Sequence, residues 1–310
     1  MAPNIPVPKA RPRKTSDVVR TRPGCRLLRE AYDWAVANQV TSWNQVEPQF
    51  LTAMSAFDTT LADTLAGPGD DATRKAIAAD LQNGKGDWFN DLLALLLENC
   101  SGIENLYARS SVPGLIIAKH NLDGVYPGDP NQQIEFLLEA KMMGTPKHAG
   151  SPGEKEAGRD GSKDTPKRVK ELAFKSIDLK GEASRRLTML GHSPSGGAGG
   201  GDLSMWLHSN PPRIYFFMAV RVLSETDLQA IIRWSNVALQ VVDAVGLYAY
   251  EPTPNTSGWT TYRRRAGVPT TLELERVLFR ACQELKSLKG KQAPPTGAAP
   301  PGPAATAPGA

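Results

Sequence analysis

Ile134-Glu135-Phe136-Leu137-Leu138-Glu139-Ala140-Lys141-Met142-Met143 decides how this chain folds. Leucine, glutamate, alanine, lysine and methionine are good helix formers, so composition alone favours a helix. The order of the residues favours a strand. Positions 134, 136, 138, 140 and 142 are Ile, Phe, Leu, Ala and Met, and every charge (Glu135, Glu139, Lys141) falls on an odd position. A period of two belongs to an extended chain, whose side chains point alternately to opposite faces. Turn residues flank the run, with Pro127-Gly128-Asp129-Pro130-Asn131 upstream of it. The segment reads as a strand with one apolar face and one charged face.

Working outward, residues 26–40 and 48–65 show helical spacing, and 87–99 combines Trp88, Phe89 and a run of leucines with a stop at Gly102. Residues 114–118 (Gly-Leu-Ile-Ile-Ala) and 120–126 read as strands. After a loop at 144–166, rich in glycine, proline and charge, residues 167–190 read as a helix with a basic face and a possible break at Gly181. A buried strand at 213–222, a helix at 225–242 capped by Ser224, a short strand at 247–250 and a helix at 272–289 complete the series. The expectation is an α/β fold with a mixed central sheet, flanking helices and a helical N-terminal portion.

The chain has 310 residues, with 36 basic against 32 acidic side chains and a net charge of +4. Residues 1–22 hold six basic residues against Asp17 alone, together with four prolines, which reads as a disordered basic arm; a phosphate-contacting arm is the alternative. Residues 292–310 are almost wholly Ala, Pro, Gly and Thr and read as a disordered tail. Residues 23–291 are then a single globular domain. No apolar run approaches the ~20 residues of a membrane helix, and the N-terminus lacks a signal-peptide core. Cys25, Cys100 and Cys282 are scattered and odd in number, which argues against a disulfide framework. These features suggest a soluble, cytoplasmic protein without a membrane partner.

If the strands 120–126 and 134–143 are neighbours, Asp123 meets Glu139 and Lys141. Alternate residues on a strand are about 6.6 Å apart and adjacent strands about 4.8 Å apart, so the three side chains can share one patch. Two carboxylates that close repel each other, and a divalent cation relieves the repulsion. Hard oxygen donors suit Mg²⁺, which takes one or two carboxylates plus water and substrate phosphate. A lysine beside it can position a water aimed at phosphorus, so the chemistry indicated is phosphodiester hydrolysis.

Leu122-Asp123 followed by Ile134-Glu-Phe-Leu-Leu-Glu139-Ala-Lys141 resembles the PD-(D/E)xK nuclease superfamily, and its type II restriction endonucleases most closely. The element order over 84–222 is similar to that family's core. Leu122 stands where the family name has proline. The resemblance implies a restriction-endonuclease-like fold and Mg²⁺-dependent cleavage of double-stranded DNA at a short sequence. Asp123 and Glu139 would hold the metal and Lys141 would orient the attacking water. One further polar residue would come from the preceding helix: Asp91 in preference to Asn90, with Glu98 further off. The family also implies a homodimer and a cognate DNA methyltransferase.

Other residues extend this reading. Lys147, just past the Glu-x-Lys strand, is a candidate phosphate contact. Arg263, Arg264 and Arg265, following Trp259 and Tyr262, are candidates for reading guanine or touching phosphate. His120 lacks a paired histidine at metal-ligand spacing and reads as an ordinary surface residue or a support to the site. The glycine run at 196–201 lacks the Gly-Lys-Ser/Thr ending of a phosphate loop and reads as a linker. Two alternatives stand beside restriction: the same catalytic core serving repair, recombination or a mobile element, and a non-catalytic DNA-binding protein with incidental acids.

Overall fold

The computed structural model describes residues 23–104, 106–128, 132–144, 161–189, 212–253 and 261–292. The basic arm, Lys147, the glycine run and the tail beyond Gln292 lie outside the described residues.

Among the described residues three helices come first. Helix α1 (Pro23–Ala37) turns Leu28, Ala31, Tyr32 and Ala35 inward, as the spacing at 26–40 predicts. Helix α2 (Trp43–Ala66) starts five residues before the expected position 48, and Pro48 lies inside it. The earlier start is fixed by Gln45, whose side chain accepts the Ser42 amide at 3.2 Å. Helix α3 (Asp71–Ser101) ends at Gly102 as expected, in the left-handed conformation with φ 70°. Its beginning lies sixteen residues before position 87, where the Asp70 carboxylate accepts the Thr73 amide at 2.8 Å. The helix runs through Gly84 and Gly86, although each glycine costs about 1 kcal/mol relative to alanine. Burial of Leu81, Trp88 and Phe89 on both sides of them offsets that cost.

Six strands follow in sheet order: β1 (Tyr107–Val112), β2 (His120–Tyr126), β3 (Phe136–Met143), β4 (Arg213–Arg221), β5 (Ala244–Pro252) and β6 (Tyr262–Arg264). The β1–β2, β2–β3 and β5–β6 pairs are antiparallel, whereas β3–β4 and β4–β5 are parallel. The parallel steps need crossovers, supplied by α4 (Gly161–Met189) and α5 (Glu225–Ala238), and α6 (Leu274–Gln292) closes the described chain. The mixed α/β sheet flanked by helices is thus observed, and 136–143 is a strand paired on both sides.

Several boundaries differ from the sequence reading. Residues 114–118 are not a strand; Leu115, Ile116 and Ile117 are exposed in a loop, and the strand lies earlier, at 107–112. An aliphatic run usually signals burial, while the mixed polar sequence Tyr-Ala-Arg-Ser-Ser-Val of an edge strand gives little pattern to read. Helix α4 begins at Gly161, within the expected 144–166 loop, and passes unbroken through Gly181, over which the Leu115 side chain packs. Strand β5 is longer than 247–250 because β4 pairs with it from Ala244 onward.

Both faces of the sheet are covered. Phe136, Leu138 and Ala140 join the core beneath α1, α2, α3 and α6, and Leu137 and Met143 join a second core with α4 and α5. The charged face of β3 is therefore a covered face. Within the first core lies a buried polar cluster. Tyr262 donates to Asp58, Arg221 donates to the Tyr262 hydroxyl at 2.9 Å, and Lys85 lies 3.8 Å from Asp58. Cys100 and Cys282, 182 residues apart in sequence, form a disulfide between the end of α3 and α6. This corrects the expectation drawn from their scatter, because separation along the chain does not limit proximity in the fold. Among the described residues no helix is long and apolar enough to cross a membrane.

Candidate active site

The β2–β3 ladder matches Tyr126, Val125 and Gly124 with Phe136, Leu137 and Leu138 and then stops. At the next residue, Asp123 turns its carboxylate between the strands and accepts the Ala140 amide at 3.1 Å. A side-chain oxygen thus satisfies a backbone donor that a ladder carbonyl would otherwise take. The same Asp123 oxygen receives the Lys141 ammonium at 3.1 Å, and that ammonium lies 3.4 Å from Glu139. The three residues singled out by the alternation of β3 meet on one nitrogen atom.

Two helices complete the surroundings. From α4, Lys175 donates to the other Glu139 oxygen at 2.6 Å and to the Asn121 carbonyl at 2.9 Å. From α3, Asn90 donates to the Asp123 carbonyl at 3.2 Å. A cleft of about 470 Å³ opens here, lined by Asn83, Asp87 and Asn90 on one side, Asp123 and Lys141 at the sheet and Arg168 on the other. Asp91, the helix residue favoured from sequence, is buried and is not among the residues lining the cleft. One residue along a helix turns the side chain by about 100°, so Asn90 and Asp91 cannot share that face. Glu98, just over two turns past Asn90, accepts the Leu106 amide at 2.6 Å and holds the chain leading into β1.

Sequence reasoning missed Asn83, Asp87, Arg168 and Lys175 as individual members. Positions 83, 87 and 90 follow the four-then-three spacing of one helical face. That signal is visible only once the helix is extended upstream of position 87. Arg168 and Lys175 both belong to the basic face of 167–190, but nothing local marks them from their basic neighbours.

Electrostatics separate the roles. Glu139 is 2% exposed and, like Asp91, is not among the residues lining the cleft; what ties it to the site is the Lys141 ammonium it shares with Asp123. Burial pushes its carboxyl above the usual range and the Asp123 charge pushes it further, while Lys141 and Lys175 only partly oppose the rise. For Lys141, burial pulls the ammonium down, but the Glu139 and Asp123 carboxylates outweigh it and leave the amine above its ordinary value. Lys141 is therefore a charged donor at neutral pH.

A stability prediction follows from Glu139. A carboxyl raised on folding binds its proton more tightly in the folded state. Its contribution to stability is most favourable in acid and falls as pH rises from the unfolded value, about 4.3, through the raised one. Glu139→Gln removes the ionisation, so without divalent cations this variant should melt no lower than wild type at pH 8. Its advantage should shrink in acid. Thermal melts at both ends of that range check it, and a variant that melts below wild type at pH 8 would refute it.

The arginines proposed for base contact are placed differently. Arg263 pairs with Glu251 at 2.7 Å, Arg264 with Glu273 at 3.1 Å, and Arg265 with Glu225 at 2.7 Å and Glu251 at 2.9 Å. They flank or lie on β6, three strands or about 14 Å from β3. His120 is buried and bonds to Asp178 at 2.7 Å, so it is not a surface residue. No family model, curated protein or solved structure matches this chain.

Proposed function

We propose that this protein is a Mg²⁺-dependent endonuclease of the PD-(D/E)xK type, with a restriction-endonuclease-like core, that hydrolyses phosphodiester bonds in double-stranded DNA. A type II restriction role at a short sequence is the preferred form of that proposal. The observation that carries it is the convergence of Asp123, Glu139 and Lys141 where the β2–β3 ladder stops, beside an open polar cleft. The antiparallel β1–β2–β3 meander followed by parallel β4 is compatible with such a core. A homodimer and a cognate methyltransferase remain implications of the resemblance alone.

Asp123 and Glu139 would hold the ion. They supply hard carboxylate oxygens, and one oxygen of each already faces a single cation, the Lys141 ammonium. Among the described residues no group of three or more His, Cys, Asp or Glu side chains suited to a metal occurs. Two carboxylates suffice for Mg²⁺ when water and substrate phosphate fill the remaining positions. When bound, the ion would supply Lewis-acid polarisation of the phosphate and a more acidic water.

The chain's own residues do the positioning. Lys141, held charged, donates rather than accepts; it orients the attacking water and offsets negative charge growing on the phosphate oxygens. Lys175 occupies one Glu139 oxygen and so turns the other toward Lys141 and Asp123. Asn90 fixes the Asp123 backbone from α3.

The test is incubation of purified protein with phage or plasmid DNA with and without Mg²⁺, comparing wild type with Asp123→Ala and Lys141→Ala. Discrete fragments that need Mg²⁺ and both residues support the proposal; intact DNA, or variants that cut equally well, overturn it. A pH dependence is also expected. Because Glu139 holds its proton above the usual carboxylate range, cation binding must displace that proton. The Mg²⁺ concentration giving half-maximal cleavage should therefore fall as pH is raised through the Glu139 transition.

A further inference from the structure

The strongest feature outside the cleft is the loop between β1 and β2. Leu115, Ile116 and Ile117 are 52%, 70% and 39% exposed, and beside them on α4 Phe174 and Ile177 are 45% and 41% exposed. Five large apolar side chains gathered on one surface mark an interaction site more often than chance exposure.

The loop is held rigidly. The Gly114 amide donates to the Ile117 carbonyl at 2.8 Å, closing a tight turn. The two Asp178 oxygens accept the Ile116 amide at 2.6 Å and the Ile117 amide at 3.0 Å, and His120 bonds to the same carboxylate at 2.7 Å. A Cβ on Gly114 would lie 1.9 Å from Asp178 Oδ2, so only glycine admits this approach. Burial pulls the Asp178 carboxyl up, but the bonds from His120, Ile117 and Ile116 outweigh it and hold it below the usual range. The aliphatic tip is thus presented in a fixed conformation, which lowers the ordering cost of binding.

The exposed face of α4 indicates the partner. Lys163, Lys167 and Lys170 are exposed and follow a three-or-four spacing toward Phe174 and Ile177, and Lys119 is exposed beside the loop. Glu171 lies 3.9 Å from Lys167 and bonds Arg168 at 2.8 Å, so part of this charge is shared. A row of lysines leading into an apolar tip suits a polyanion with apolar faces between its charges. It suits a second copy of the same positive surface poorly, since like charges would oppose each other. The same helix provides Lys175 and Arg168 to the candidate site, and His120 is three residues, or about 10 Å, from Asp123.

We propose that this surface is a DNA wedge: the lysines of α4 track the phosphates while Leu115 and Ile116 insert against base edges and unstack a step a few base pairs from the cut. The proposal rests on the nuclease reading for its substrate, but it is tested by binding rather than cleavage. Wild type, Leu115→Ser/Ile116→Ser and Lys167→Gln/Lys170→Gln are titrated, with Ca²⁺ replacing Mg²⁺, against a duplex carrying 2-aminopurine at its adenine positions.

Wild type should bind with a rise in 2-aminopurine fluorescence. The serine pair should bind about tenfold more weakly, lose that rise and keep the salt dependence of wild type. The glutamine pair should reduce the slope of log affinity against log salt by about 2. Serine variants that bind and unstack DNA like wild type overturn the wedge, whatever the cleavage assay shows. So does sedimentation showing that the serine pair converts a dimer to a monomer without altering DNA affinity, because a second copy then covers the patch. Duplex binding and unstacking that need Leu115 and Ile116 in a protein that never cuts would support the wedge and count against the catalytic reading alone. Absence of duplex binding by wild type would overturn both.

Discussion

Lys141→Ala should lower the rate of DNA cleavage by roughly 10²–10³-fold, the loss typical when one donor to a developing anion is removed. Duplex binding should change little, since one ammonium among many basic groups is lost. The same substitution should strengthen cation binding. In the wild-type protein the Lys141 ammonium bonds Asp123 at 3.1 Å and lies 3.4 Å from Glu139, so it competes with any ion for those oxygens. Without it only Lys175, on the far Glu139 oxygen, offsets the two carboxylates, which lowers stability until an ion enters. Mg²⁺ should therefore raise the melting temperature of Lys141→Ala by more than that of wild type. Single-turnover cleavage and melts across a Mg²⁺ titration measure the two effects. A variant that cuts at the wild-type rate would remove Lys141 from the mechanism.

The second large effect concerns folding. Asp58 is fully buried among Lys85, Arg221 and Tyr262, and burial pulls the Lys85 ammonium below its ordinary value. The cluster joins α2, α3, β4 and β6: the Asp58 carboxylate meets Lys85 and Tyr262 directly and Arg221 through the Tyr262 hydroxyl. Asp58→Ala leaves buried cations without their counterion, a change that costs roughly 3–5 kcal/mol. In a domain of this size that corresponds to a fall in melting temperature of about 10 °C. Asp58→Leu combined with Lys85→Met should cost less than Asp58→Ala alone, because it leaves Arg221 as the one buried cation of the cluster where Asp58→Ala leaves two. Calorimetric melts of the three proteins decide the matter; an Asp58→Ala protein as stable as wild type would contradict it.

The sequence was most legible where periodicity and chemistry coincide. In β3 the period of two outweighs the helix propensity of Leu-Leu-Glu-Ala-Lys and gives both the strand and the facing pair Glu139 and Lys141. Asp123 was accessible through its place on the neighbouring strand. What the alternation does not reveal is what covers each face. The odd side of β3 reads as its charged face, and α4 lies over it and buries Glu139.

The helix partner was less legible for a geometric reason. Choosing between Asn90 and Asp91 requires the rotational phase of α3 against the sheet, and composition favours the acid over the amide. The phase favours Asn90, together with Asp87 and Asn83. Arg263, Arg264 and Arg265 show the opposite failure: a basic cluster stands out in sequence, while its carboxylate partners Glu225, Glu251 and Glu273 lie outside it and are brought beside it by strand pairing and packing. The 114–118 segment misled because aliphatic residues normally mean burial, and here a buried His120–Asp178 pair holds them outward.

The most direct check on a cation site at Asp123 and Glu139 is divalent-cation binding by the purified protein, with Mn²⁺ as a paramagnetic reporter. Wild type should hold a single Mn²⁺ that Mg²⁺ displaces and that is lost in Asp123→Asn/Glu139→Gln. Mn²⁺ binding that is absent from wild type, or unchanged in the double variant, would contradict it.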